Sequence, residues 1–238
     1  MTITADVQLE QLNCIRETED GDSTPYLWVV LLQTDLDAVK TVGVSRVGWA
    51  REYEQVLAKG LKTGEWASIP DDLLEGPGAA WASGVQDPTL IIAAALWDKH
   101  DTPPKAVEAG YGAFVSALTQ SVADEIEALY TAEVIDPGYV TTIIGQIETV
   151  VENAVHRAIK SNLDWEEELF DTLDSFVGTA FQAFFPVTTS NSIQLTFNSK
   201  PDHSYEVGGE LVVVISDVTV RPPVPAPAPV PPIVSDRT

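Results

Sequence analysis

"TEDGDSTPYLWVVLL", residues 18–32, is the stretch on which the architecture turns. An acidic loop containing a glycine runs into Pro25 and then into an unbroken series of β-forming apolar residues. The loop reads either as a binding loop at the mouth of a β-sandwich or as a solvated hairpin before a core strand. The apolar run itself does not alternate. A strand of that kind is covered on both faces, so the run predicts a central strand. Asp35 and Asp37 end it.

On its N-terminal side, "VQLEQLNCI" partly alternates, with Val7, Leu9, Leu12 and Cys14 as inward candidates. On its C-terminal side, "AVKTVGVSRVG" alternates through Val42, Val44 and Val47 and predicts a third strand. "WAREYEQVLAKGL" then changes period. Trp49, Tyr53, Val56, Leu57 and Leu61 predict a short helix or a long irregular excursion. Residues 63–88 carry Pro70, Pro77 and Pro88 and predict a loop anchored by burial of Trp66 and Trp81. Thr89 to Trp97 reads as a buried strand, and Asp98 to Pro104 as its polar exit.

The period then becomes helical. Val107, Tyr111, Phe114, Val115, Leu118, Val122, Ile126 and Leu129 form one apolar stripe. Asp136-Pro137-Gly138 breaks it, with Asp136 placed to cap a new helix before a proline at its first position. A second stripe runs from Val140 through Ile147, Val151 and Val155. A third helix is predicted from Leu163 through Trp165, Leu169, Leu173, Phe176 and Val177, ending near Pro186. Strands return with "SIQLTFNS". "HSYEVGGELVVVISDVTV" predicts one strand around Tyr205 and Val207, a turn or bulge at Gly208-Gly209, and a long final strand. The proline-rich tail beyond Arg221 cannot enter a sheet interior. It predicts an extended, disordered segment.

Strands at both ends with helices between them predict an α+β fold: one antiparallel β-sandwich over residues 1–221. It would carry a three-helix insertion at about 104–185, with residues 222–238 as the tail. A chain of 238 residues can bury such a core. Its formal net charge of -23 repels phosphate backbones and anionic lipid, which disfavours sequence-independent nucleic-acid binding and a membrane surface, and no nucleic-acid partner is expected. Acidic residues in such number read first as a solvated surface.

The single cysteine, Cys14, allows neither an internal disulfide nor a four-cysteine zinc site, and its context is that of a small buried hydrophobe. No standard secretory signal opens the chain, and no apolar run approaches the ~20 residues of a spanning helix. The expected location is the cytoplasm, or the exterior by export without a standard signal peptide. His100, His156 and His203 lie in no nucleophile, zinc-protease or cysteine–histidine context, and "YEVGGE" precedes no helix, as a dinucleotide loop would. A non-enzymatic protein is expected.

Two loops carry a resemblance. "TEDGDSTPYLWV" and "LIIAAALWDKHD" resemble the C2 domain pattern, in which an acidic loop precedes a Pro-Tyr strand start and a second strand ends in Trp-Asp-x-Asp. Pro25-Tyr26 and Trp97-Asp98 match. The resemblance implies a sandwich whose edge loops supply carboxylates to calcium, here Asp20, Asp22, Asp98 and Asp101. The chain departs from the pattern at Thr24 and His100, where the family places aspartates. It covers about twenty-five residues. The run L-x-C-x-x-E-T from Leu12 to Thr18, with a long helical insert and closing strands, also resembles a group of uncharacterised bacterial proteins. That likeness implies architecture alone.

The expected function is therefore a binding or structural component that engages a protein partner, or a second copy of itself, through sandwich loops or the helical layer. No resident cofactor is expected. The competing expectation is a membrane-active effector, pore-forming or calcium-dependent in lipid binding, whose helices open onto a bilayer.

Overall fold

In a computed structural model of the chain, the described residues are 2–17, 23–35, 44–76, 78–82, 84–85, 87–131, 137–163, 173–200 and 203–216. They form β1 (Thr2–Glu17), β2 (Pro25–Asp35), β3 (Ser45–Ala50), β4 (Trp66–Ser68), β5 (Leu74–Glu75), β6 (Gly78–Trp81) and β7 (Pro88–Asp98). Two helices follow, α1 (Pro104–Thr131) and α2 (Pro137–Lys160), and then β8 (Ser175–Phe184), β9 (Asn191–Lys200) and β10 (His203–Ser216). The strands make two antiparallel sheets. One runs β4-β1-β10-β9 with β6 also on β1, and the other β5-β3-β2-β7-β8.

The unbroken apolar runs have a physical explanation in this layering. Successive residues of a strand point to opposite faces. In β2, Leu27, Val29 and Leu31 enter the core shared with the first sheet, while Tyr26, Trp28, Val30 and Leu32 enter a second core under the helices. β7 divides in the same way, with Leu90, Ile92, Ala94 and Leu96 on one side and Ala93, Ala95 and Trp97 on the other. Both faces are dry, so no polar residue interrupts the run. Each large side chain buried this way contributes about 1.5–3 kcal/mol.

The first sheet is dry on one face only, and its strands alternate. In β1 the buried positions are Ala5, Val7 and Leu9, then Leu12 and Cys14. The change from odd to even positions is a β-bulge, where the register against β10 shifts between Leu9 and Gln11. Gly208 and Gly209 face it. They do not divide β10, which runs unbroken from His203 to Ser216. A Cβ on Gly209 would lie 2.2 Å from the Gln8 carbonyl oxygen, so the backbones meet there only because the residue is glycine.

β7 and β8 are adjacent antiparallel strands, and the helices lie in the connection between them. Val107, Tyr111, Phe114, Leu118 and Val122 of α1, with Ile147, Val151 and Val155 of α2, cover Trp28 and Trp97. No helix among the described residues is long and apolar enough to cross a membrane.

Three expectations are corrected. The predicted third helix does not reach Pro186. Ser175–Phe184 is strand β8, and Val177 points into the inter-sheet core. The helical part of the insertion therefore stops short of Asp174, and the predicted helical positions Trp165 and Leu169 lie outside the described residues. Residues 63–88 hold three short strands rather than one loop. Trp81 is buried, its Nε1 donating to the Thr34 carbonyl at 2.9 Å, but Trp66 is 65 % exposed. The proline-rich tail lies outside the described residues.

Candidate functional site at the mouth of the sheets

The stretches around Pro25-Tyr26 and Trp97-Asp98 meet. Pro25 pairs with Asp98 and Tyr26 with Trp97 across the β2–β7 ladder. The ladder thus begins where the acidic loop enters and ends where the chain leaves for the helices. Asp98 is 4 % exposed. Its Oδ1 accepts the Thr24 backbone N–H, and its Oδ2 lies 3.8 Å from His100 Nε2. Asp101 is exposed on the exit turn. Asp20 and Asp22 lie outside the described residues.

Asp174, which the sequence reading did not single out, completes the mouth. It stands just before β8, so the end of β7 brings it beside the first turn of the excursion. Its Oδ1 accepts the His100 N–H at 2.8 Å and the Thr102 N–H at 3.2 Å. Its Oδ2 accepts the Tyr26 hydroxyl at 2.8 Å, and its own N–H donates to Thr102 Oγ1 at 2.6 Å. Burial raises the Tyr26 phenol far above its usual range, and the Asp174 carboxylate adds to the effect. Lys99 pairs with Glu54 at 3.0 Å on the outer rim. Ser23 Oγ and the Tyr205 hydroxyl, 2.8 Å apart, tie the entry of β2 to the first sheet.

The chemistry of this arrangement follows from what the oxygens already accept. Three carboxylate oxygens at this mouth, Asp98 Oδ1, Asp174 Oδ1 and Asp174 Oδ2, accept N–H or O–H groups of the chain itself. Calcium takes six to eight oxygens at once. Among the described residues no group of three or more His, Cys, Asp or Glu side chains could hold a metal ion. Asp98 ties the end of β7 to the entry of β2, and Asp174 ties together the two ends of the excursion.

Thr102 and Asp174 carry weak sequence signals. A threonine before Pro103-Pro104 reads as a helix cap. The Pro103 carbonyl takes the first helical N–H groups, those of Ala106 and Val107, and frees the Thr102 hydroxyl for Asp174. Asp174 precedes an apolar run as Asp98 follows one, which is the only local hint of their shared role.

A second feature lies on the first sheet. Trp66 of β4 pairs with Asn13 of β1, and its ring stands in solvent. Ile15, two residues further along β1, is 49 % exposed. No protein-family model matches this chain, and no curated protein matches it in sequence.

Proposed function

We propose that the chain is a non-enzymatic binding or structural component that engages a protein partner. The observation that carries this reading is Trp66, a large apolar ring held in solvent by a paired edge strand beside Ile15. An aromatic anchor on a rigid strand loses little conformational freedom on binding, and tryptophan is enriched at interface hot spots. The helical layer contributes less, because its apolar stripe packs against Trp28 and Trp97. We further read the two sheets as a C2-like sandwich, supported by the pairing of Pro25 with Asp98 and of Tyr26 with Trp97.

The test is capture from cells that make the protein, with the full chain and its Trp66→Ser variant as bait, together with sedimentation of both. A partner or self-associated species lost with Trp66→Ser supports the proposal. A partner set and sedimentation profile indifferent to Trp66 refute it. So does a catalytic turnover abolished by one carboxylate substitution.

A further inference from the structure

Edge strands present unpaired N–H and C=O groups, and folded sheets cover or pair most of them. Two glutamines do so here. Gln33 Nε2 donates to the Ala80 carbonyl at 2.8 Å, and its Oε1 accepts the Ala80 N–H at 3.2 Å. Gln182 Nε2 donates to the Ser192 carbonyl at 3.2 Å, and its Oε1 accepts the Gln194 N–H at 2.8 Å. Each side-chain amide stands in for the peptide group of one more strand, on β6 in the first case and on β9 in the second.

The outer edge of β1 has a break in its cover. β6 pairs with Ile3 to Asp6, and β4 pairs with Gln11 to Asn13. Between them, the Glu10 carbonyl accepts the Ile69 N–H at 2.9 Å. Val7, Gln8 and Leu9 have no strand partner on this side among the described residues. They line a cavity of about 490 Å³. Leu73 and Leu74 give it an apolar wall, and Asp6, Glu10 and Asp71 stand exposed around it.

We infer that this break is a docking slot for a short extended segment of a partner protein that carries lysine or arginine side chains. The inference rests on the protein-binding function above and gives the partner its chemistry. Backbone pairing to an open strand supplies affinity, and side chains at alternate positions supply selectivity. Asp6, Gln8 and Glu10 are exposed at alternate positions of β1, so cationic residues of an added strand would lie beside carboxylates. The net charge of -23 favours approach of such a segment.

The experiment titrates the full chain with acetyl-Lys-Val-Lys-Val-Lys-amide and follows its backbone amides by NMR and hydrogen exchange. Saturable binding is expected, with slowed exchange within residues 7–9. The double variant Glu10→Gln/Asp71→Asn should bind roughly tenfold more weakly. A control pair on α1, Glu108→Gln/Asp124→Asn, should bind unchanged. Equal weakening by both pairs would mean diffuse charge attraction and overturn the slot, as would unperturbed amides at 7–9. Failure of the peptide in a chain that still captures a partner through Trp66 removes the slot alone. Seating of the peptide without Trp66-dependent capture removes the Trp66 reading and leaves the slot standing.

Discussion

Thr102 and Asp174 hold each other across the base of the helical excursion. The Asp174 N–H donates to Thr102 Oγ1 at 2.6 Å, and the Thr102 N–H donates to Asp174 Oδ1 at 3.2 Å. The two residues are 72 positions apart in sequence. Asp174→Ala leaves two backbone N–H groups and the Tyr26 hydroxyl without their acceptor, and should cost about 1–3 kcal/mol. Thr102→Val removes one bond while keeping the shape, and should cost about 1 kcal/mol. Urea denaturation measures both. Two variants with wild-type midpoints would show that the ends of the excursion are not tied here.

Gly110 and Gly112 separate helix propensity from packing within one helix. A Cβ at Gly110 would lie 2.8 Å from Ile159 Cγ1 and 3.2 Å from Trp28, whereas one at Gly112 meets nothing within 4 Å. Gly112→Ala should stabilise by about 0.5–1 kcal/mol through propensity. Gly110→Ala should destabilise by about 1–3 kcal/mol, because overpacking outweighs that gain. Equal effects of the two substitutions in thermal melts would place α1 away from α2 and β2.

Much of this fold is legible in the sequence, and the failures have identifiable causes. The run from Pro25 and the run from Thr89 read as covered strands because both their faces are dry. The shift from Val7 and Leu9 to Leu12 and Cys14 already marks the bulge. Residues 173–184 mislead because Leu173, Phe176 and Val177 fit helical spacing as well as a short apolar strand. Pairing with β7 decides for the strand, and that partner is remote in sequence. Trp66 misleads in another way: composition alone does not tell a buried tryptophan from an exposed one. Asp98 stands out in the sequence as the acidic end of an apolar run, but the role of Asp174 depends on a distant threonine.

Glu148 sits half-buried on α2, and burial raises its carboxyl above the usual range, with Glu152 adding repulsion. A raised carboxyl favours the neutral form in the folded state. Its contribution to stability is therefore greatest below the unfolded value near 4.5 and falls as pH rises through the folded value. Glu148→Gln should raise the melting temperature at neutral pH and leave it nearly unchanged at pH values below about 4. An equal gain at both would assign the effect to something other than ionisation.

The phenols give the alkaline limb. Burial holds Tyr26 well above its usual value of 10.0 and pushes Tyr111 up to about 12. Above pH ~10 the unfolded chain loses these protons while the folded chain keeps them, so stability falls as pH rises. The slope should approach about 1.4 kcal/mol per pH unit for each such tyrosine. Tyr26→Phe lowers stability at pH 8, where the bond to Asp174 is lost, but flattens the decline above pH ~10. A parallel decline in the variant would contradict the buried phenol.

We propose that the carboxylates at the mouth serve the backbone rather than a metal. Thermal melts of the full chain in millimolar calcium and in chelator decide it. A ligand bound only by the folded state stabilises by RT ln(1 + [L]/Kd), so binding would appear as a concentration-dependent rise in melting temperature. Coincident melts in calcium and chelator are expected, with a lower melting temperature for Asp98→Asn in both, since that change weakens the acceptor of the Thr24 N–H. A clear calcium-dependent rise that disappears with Asp98→Asn would contradict it.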